Sequence, residues 1–125
     1  MLAQLSESLR RLIQNRHSQN IKSDFCAISY SQEGEDRILC RFFEDKKDPG
    51  FYVDVGAHHP YRFSNTQLFY DMGWRGINID PNPEAIRLFS QCRQGDINLN
   101  VGIGKQRNLR QYFAFEESAY NTFDQ

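Results

Sequence analysis

The sequence has no long apolar run and no excess of charge of either sign. No stretch of about eighteen apolar residues occurs, so no transmembrane helix is predicted. Lys and Arg number 15 and Asp and Glu 16, for a formal net charge of -1. This balance argues against a basic nucleic-acid binder and against an acidic tail. The N-terminal residues also lack the continuous apolar segment of a secretory signal. We therefore expect a cytoplasmic protein that binds neither membrane nor nucleic acid.

Cysteine is scarce as well. Cys26, Cys40 and Cys92 are odd in number and far apart, which argues against a disulfide framework. We expect reduced thiols packed in or near a core, and one exposed reactive thiol stays open as the alternative. The 39% hydrophobic residues suffice for a core, and 125 residues allow one domain at most, or part of one.

Apolar spacing at the N-terminus predicts an amphipathic helix. Its stripe consists of Leu2, Leu5, Leu9, Leu12 and Ile13. Packing on the body of the domain is the simplest interpretation, and docking on a membrane surface or a partner is the alternative. We expect residues 1–24 to form this helix and a connection, followed by a partial domain over residues 25–125.

Strand and helix patterns then alternate along the chain. The pattern predicts helices after Ser31, over 65–72 and over 84–92. The first ends at the turn 48–50, the second ends at Gly73, and the third has Pro83 at its first position. Strands are predicted over 51–55, 76–80, 96–101 and 110–115. This order predicts an α/β fold in which helices cover a parallel sheet.

Two predicted strand ends carry ligand-binding residue types. Ligands of open parallel sheets bind beyond the carboxyl ends of the strands. Gly56, directly after the first strand, permits a tight turn and close approach of the backbone to a ligand. Asp80, about 24 residues later, ends the next strand, where a carboxylate can accept hydrogen bonds from ribose hydroxyls. A structural glycine turn is the alternative, but together the two ends predict a nucleoside-containing cofactor.

The glycine turn does not suit a dinucleotide. A pyrophosphate site requires the pattern G-x-G-x-x-G, whereas residues 56–60 read GAHHP. S-adenosylmethionine (SAM) has a ribose and an adenine but no phosphate, and its sulfonium and ammonium groups attract carboxylates. Asp54 and the acidic segment 31–36, SQEGED, would supply that negative environment. A solvated helix start is the alternative for the segment. SAM is thus the predicted cofactor, ahead of NAD.

The residues that carry these motifs resemble the FkbM family of SAM-dependent methyltransferases. The resemblance rests on residues 51–83, FYVDVGAHHPYRFSNTQLFYDMGWRGINIDPNP, with SQEGED before them and NVGIGKQRNLRQYF and SAYNTFD after them. It implies a class I, Rossmann-like methyltransferase fold. It also implies O-methylation of a small-molecule acceptor, often a hydroxyl of a sugar or natural product.

The resemblance further implies cofactor contacts position by position. The first SAM motif would consist of Asp54, Gly56, Ala57 and His58, and the ribose and adenine would contact Asp80, Pro81 and Asn82. The contacts from the third strand would be Asn100, Val101 and Gly102. The candidates for the methionine end of SAM are Gln32, Asp36, Asn65 and Thr66. For the last four, helix capping is the alternative, because a cap uses the same residue types.

The adjacent histidines His58 and His59 could serve as metal ligands or as catalytic groups. No third ligand stands at suitable spacing from His58 and His59, so no metal site is predicted. Contact with the cofactor is the favoured role of His58, and action as a general base is the alternative. No catalytic residue is assigned. Trp74 is expected in the core.

Family members continue beyond the position of Gln125 with a strand that carries a D-x-E-G-type motif. We therefore expect a truncated chain with an incomplete sheet. As an enzyme it would need missing strands from a partner or a second copy; the alternative is a cofactor-binding fragment without turnover. An unpaired edge and an apolar face would favour self-association.

Overall fold

The structure of the protein, a computed structural model, describes residues 26–116 and 120–123. The helix predicted at the N-terminus lies outside the described residues. The elements in chain order are α1 Glu35–Phe42, β1 Phe51–Val55, α2 Gln67–Asp71, β2 Arg75–Ile79, α3 Pro83–Cys92 and β3 Ile97–Leu99. None of the helices in this part of the chain is long and apolar enough to cross a membrane.

The three strands form one parallel sheet in the order β1-β2-β3. Val53 lies beside Ile77, and Ile77 lies beside Ile97 in the next strand. Both neighbouring pairs are parallel because a helix crosses between the strands each time, as the alternating pattern predicts. The predicted α/β class with a parallel sheet is confirmed, and the arrangement is compatible with a Rossmann-like fold.

The two faces of this sheet differ in polarity. Side chains of a strand alternate between faces, and the face toward α2 and α3 carries polar residues such as Asp54 and the fully buried Asn78. The opposite face carries valine, isoleucine and leucine side chains that are 40% to 59% exposed: Val53, Val55, Ile97 and Leu99. Polar residues on the covered side must therefore satisfy one another by hydrogen bonds. Self-association through the apolar face stays a prediction.

An aromatic cluster packs α1 and α2 against the start of the sheet. Trp74 is 8% exposed, and its ring centre lies 4.9 Å from that of Phe69 and 5.1 Å from that of Phe43. Gly50 lies beneath the indole, where a Cβ would meet Trp74 Cζ3 at 2.5 Å. The predicted core position of Trp74 is confirmed. On α3, Phe89 is fully buried.

Several predicted boundaries agree with the structure. The first strand has the predicted bounds, Pro83 begins α3, and Gly73 follows α2 with a φ of 92°. The helix predicted over 65–72 is shorter, since α2 comprises only Gln67–Asp71. The first helix begins at Glu35, after Gly34 in the left-handed region with a φ of 87°.

The strand predicted over 110–115 is wrong. Only Phe113 pairs there, in an isolated antiparallel bridge with Thr122. An alternating sequence becomes a strand only where a neighbouring strand accepts its backbone groups, and among the described residues no named strand does so here.

The expectation for the thiols is met only in part. Cys40 and Cys92 are half-buried, and Cys40 Sγ lies 3.5 Å from Met72 Sδ. Cys26 is exposed rather than packed in or near a core, as the alternative of one exposed thiol allows. It precedes the first described helix, where no element packs over it in the described part of the chain.

Candidate functional site

The carboxyl ends of all three strands are fastened together by backbone hydrogen bonds. The N–H groups of Gly56 and Ala57 donate to the carbonyl of Ile79, over 2.9 and 3.1 Å. The N–H of Asp80 donates to the carbonyl of Leu99 over 3.1 Å. The strand ends that the sequence singled out therefore form one edge.

Gly56 makes the turn at this edge. Its φ is 74°, in the left-handed region that other residues enter only with strain. A Cβ added here would meet no heavy atom within 4 Å. The glycine is therefore required by backbone conformation rather than by crowding, and the space in front of its backbone is open.

The carboxylate of Asp80 joins the β1 turn to the start of α3. Its Oδ2 accepts from the N–H of His58 over 2.9 Å, and its Oδ1 accepts from the N–H of Asn82 over 2.8 Å. The residue is only 7% exposed. An ionised carboxylate has about four lone-pair positions, so two remain for hydroxyl groups of a ligand.

A cavity of about 290 Å³ opens at this edge. Seven of the predicted site residues line it: Gly56, His58, Asp80, Pro81, Asn82, Val101 and Gly102. A larger cavity of about 960 Å³ adjoins it, shares Pro81, Val101 and Gly102, and is lined also by Asn100. Small-molecule sites typically occupy about 300–1,000 Å³, and the two cavities lie close to the lower and the upper end of that range.

Two aromatic rings close the apolar side of the cavity. Tyr112 and Phe123 line it, with ring centres 5.3 Å apart. A Cβ on Gly102 would lie 2.6 Å from Cζ of Phe123, so glycine lets the ring reach the end of β3. The sequence by itself indicates no role for either ring, although both lie in segments that carry the family resemblance.

Asp54 lies behind the turn and does not line the cavity. Its Oδ2 accepts from Thr66 Oγ1 over 2.8 Å. Burial raises the pKa of the Asp54 carboxyl, and the Thr66 hydrogen bond and the charge of Arg93 oppose that rise. Asp54 is thus a second, half-buried carboxylate near the same edge. Ala57, also predicted at the site, is buried and lines neither cavity.

The four residues suggested for the methionine end do not line either cavity. Gln32 and Asn65 are exposed. Asp36 is fully buried and accepts hydrogen bonds from Ser29 Oγ and the N–H of Tyr30. Burial alone would raise the pKa of Asp36, but these hydrogen bonds outweigh it and the pKa is lowered. Thr66 is buried beside Asp54. The structure thus gives Asp36 a role in holding the segment before α1.

The two histidines face different partners. The backbone N–H of His58 donates to the carboxylate of Asp80. His58 itself adopts a strained backbone conformation with a φ of 59°. His59 Nδ1 accepts from the N–H groups of Tyr61 and Arg62, each over 3.0 Å. Burial, followed by the charges of His58 and Arg62, lowers the pKa of His59. In the described ranges no group of three or more His, Cys, Asp or Glu could hold a metal ion.

The fold and this edge define an α/β protein with a candidate small-molecule site at the carboxyl ends of parallel strands. A family model, the methyltransferase FkbM domain, matches residues 54–124, more than half of the 125 residues. The match includes the β1 turn, Asp80 and the aromatic pair at Tyr112 and Phe123. The chain belongs to the FkbM methyltransferase family. Searches of curated proteins and of solved structures found no match.

Proposed function

We propose that this chain binds SAM at the carboxyl edge of the sheet, as a class I methyltransferase that acts on a hydroxyl group of a sugar or natural product. The observation that carries the proposal is the meeting of Gly56, His58 and Asp80 on the wall of one cavity. The choice of a hydroxyl acceptor follows the family resemblance.

The cavity suits the adenosine part of SAM. Asp80 has lone pairs free for the two ribose hydroxyls, and such charge-assisted bonds are stronger than neutral ones. Pro81, Val101, Ile103 and Tyr112 offer apolar surface for an adenine ring beside the carboxylate. This combination of one acidic group and apolar neighbours matches a nucleoside without a phosphate.

The charges in the smaller cavity favour a cation over a pyrophosphate, whereas the adjoining cavity of about 960 Å³ is also lined by Lys105, Arg107 and Arg110. The described lining of the 290 Å³ cavity contains the carboxylate of Asp80 and no Lys or Arg. The carboxylate of Asp54 lies behind it, and like charges would repel phosphate groups. When bound, SAM supplies a methyl group on a sulfonium. The chain itself would bind SAM and orient it for transfer. Gly56 would leave room for close approach of the ligand to the backbone.

Isothermal titration calorimetry with SAM and with NAD tests the proposal. We expect SAM to bind more tightly than NAD, and Asp80→Ala to weaken SAM binding by at least about a hundredfold, because two charge-assisted bonds are lost. Asp48→Ala is the matched control, since Asp48 is exposed in the turn before β1, at the opposite end of the strand. Tighter binding of NAD, or unchanged SAM affinity in Asp80→Ala, would contradict the proposal.

A second candidate is SAM binding without turnover. It is favoured by the position of β1 at the edge of the described sheet, with Phe51, Val53 and Val55 each more than half exposed. Transfer of labelled methyl from SAM to a panel of sugars and natural-product alcohols separates the two candidates. Labelled product supports the enzyme, and tight SAM binding without any product supports the second candidate.

A further inference from the structure

Arg93 is a fully buried cation at the C-terminal end of α3. Its Nη2 donates to the carbonyl of Pro60 over 2.6 Å and to Ser64 Oγ over 2.9 Å. Its Nη1 donates to Thr66 Oγ1 over 2.8 Å, and its Nε donates to Gln67 Oε1 over 3.2 Å. A buried guanidinium is costly unless its donors are satisfied, so this set of acceptors must be in place for the fold to hold it.

The charge of Arg93 is balanced through hydroxyl relays. Among the described residues no carboxylate oxygen forms a direct ion pair with it. Thr66 Oγ1 accepts from the guanidinium and donates to Asp54 Oδ2 over 2.8 Å. Tyr52 OH accepts from Nη1 over 3.4 Å and donates to Asp96 Oδ2 over 2.5 Å. One of the two relays therefore ends at Asp54, the carboxylate that lies behind the β1 turn of the candidate cofactor site.

Two further acceptors of Arg93, the carbonyl of Pro60 and Ser64 Oγ, lie in loop 57–66, which links the β1 turn to α2. Two non-glycine residues of this loop, His58 and Phe63, have positive φ values of 59° and 58°. Such strained residues persist only where surrounding contacts hold them. Arg93 binds Pro60 and Ser64, which lie between and beside these two positions. The arginine thus fastens the loop that carries the His58 N–H to Asp80.

We propose that Arg93 is a positioning residue of the cofactor site, which holds loop 57–66 against the sheet and orients Asp54 through Thr66. The role rests on the proposed function, since it is defined by the SAM site. It differs from a general structural role because it acts on one named carboxylate through one named hydroxyl.

The relay has a consequence for the protonation of Asp54. Burial raises the pKa of Asp54, while the hydrogen bond from Thr66 and the charge of Arg93 lower it. Asp80, at the end of the neighbouring strand, is the other charged group that acts on Asp54, and it raises the pKa. Removing the hydroxyl of Thr66 or the charge of Arg93 therefore makes Asp54 take up its proton at higher pH.

The experiment measures SAM affinity against pH in Thr66→Val and Arg93→Met, after circular dichroism has shown that each variant is folded. We expect SAM to bind about tenfold more weakly at pH 7 in Thr66→Val, since the hydrogen bond that orients Asp54 is lost. We also expect the acid-side loss of binding to shift to higher pH. Thr66→Ser, which keeps the hydroxyl, should restore both, and Arg87→Met, an exposed position of α3, should change neither.

A carboxyl ¹³C NMR titration of Asp54 in the free protein gives a second readout, assigned by comparison with Asp54→Asn. A higher midpoint in Thr66→Val supports the relay, and an unchanged midpoint overturns it, even if Arg93→Met fails to fold. Where the unaltered protein binds SAM but affinity and pH midpoint stay unchanged in Thr66→Val, the positioning role is wrong and the proposed function stands. Where the unaltered protein binds no SAM, the proposed function is wrong, and the NMR titration alone decides whether the Arg93 relay exists.

Discussion

Replacing Asp80 with asparagine tests the hydrogen-bond geometry at the heart of the site. Each carboxylate oxygen accepts one backbone N–H, from His58 over 2.9 Å and from Asn82 over 2.8 Å. An asparagine amide has only one oxygen, so its NH₂ group must face one of these donors. The change is nearly isosteric, yet it places two donors against each other in a position that is 7% exposed.

The expected cost follows from that unsatisfied donor. Leaving a buried donor without an acceptor costs about 1–3 kcal/mol. In a domain of this size each kcal/mol lowers the melting temperature by about 4 °C. We therefore expect Asp80→Asn to lower the free energy of unfolding by about 1–3 kcal/mol in urea titrations at pH 7 without ligand.

The control for this measurement is Asp48→Asn, which makes the same chemical change at an exposed turn position. It should change the free energy of unfolding by less than about 0.5 kcal/mol. A value that small for Asp80→Asn would refute the reasoning, because it would mean that the two backbone N–H groups do not both depend on the carboxylate.

Three further predictions concern the sheet, its covering helix and the half-buried carboxylate of Asp54. Gly76→Ala should lower the free energy of unfolding by about 1–3 kcal/mol, because its Cβ would clash with the ring and carbonyl of Tyr52; an unchanged urea midpoint would contradict this. Phe89→Ala should cost about 3–5 kcal/mol, because Phe89 is fully buried, and a cost below about 1 kcal/mol in the same assay would show that the site is not a packed core. Burial raises the pKa of Asp54, so the folded state keeps a proton that the unfolded state releases, and stability falls as pH rises from about 4 through the raised pKa. Asp54→Asn has no proton to release, so the free energy of unfolding of this variant relative to that of the unaltered protein should rise over this pH interval and then level off. A difference in free energy that does not depend on pH would contradict the raised pKa of Asp54.

Features that depend on a few neighbouring residues were predictable from the sequence. The β1 strand, the first position of α3 and the stop at Gly73 were predicted and are present. Gly56 and Asp80 were predicted to meet because they end neighbouring parallel strands, and both line the same cavity. Neighbouring residues set the hydrophobic period and the turn conformation, and the order of elements along the chain sets the strand order. A single sequence is therefore enough to indicate them.

Other parts of the fold were not predictable because their environment comes from distant segments. The alternation over 110–115 suggested a strand, but only Phe113 finds a partner. Asp36 was a candidate for the methionine end of SAM, yet its carboxylate is held by Ser29 and Tyr30. A carboxylate near a helix start has the same appearance in sequence whether it binds a ligand or holds a turn, so only its contacts distinguish the two roles.

By itself, the sequence determined the α/β order, the acidic and glycine strand ends, and the family to which the chain belongs. Tertiary structure decided which side chains face the cavity, and it showed the contacts of Phe123 and Arg93. Arg93 contacts the carbonyl of Pro60, 33 positions away in the chain. Nothing in the local pattern around an arginine after a helix indicates burial, because its cost is offset only by acceptors that folding brings from another segment.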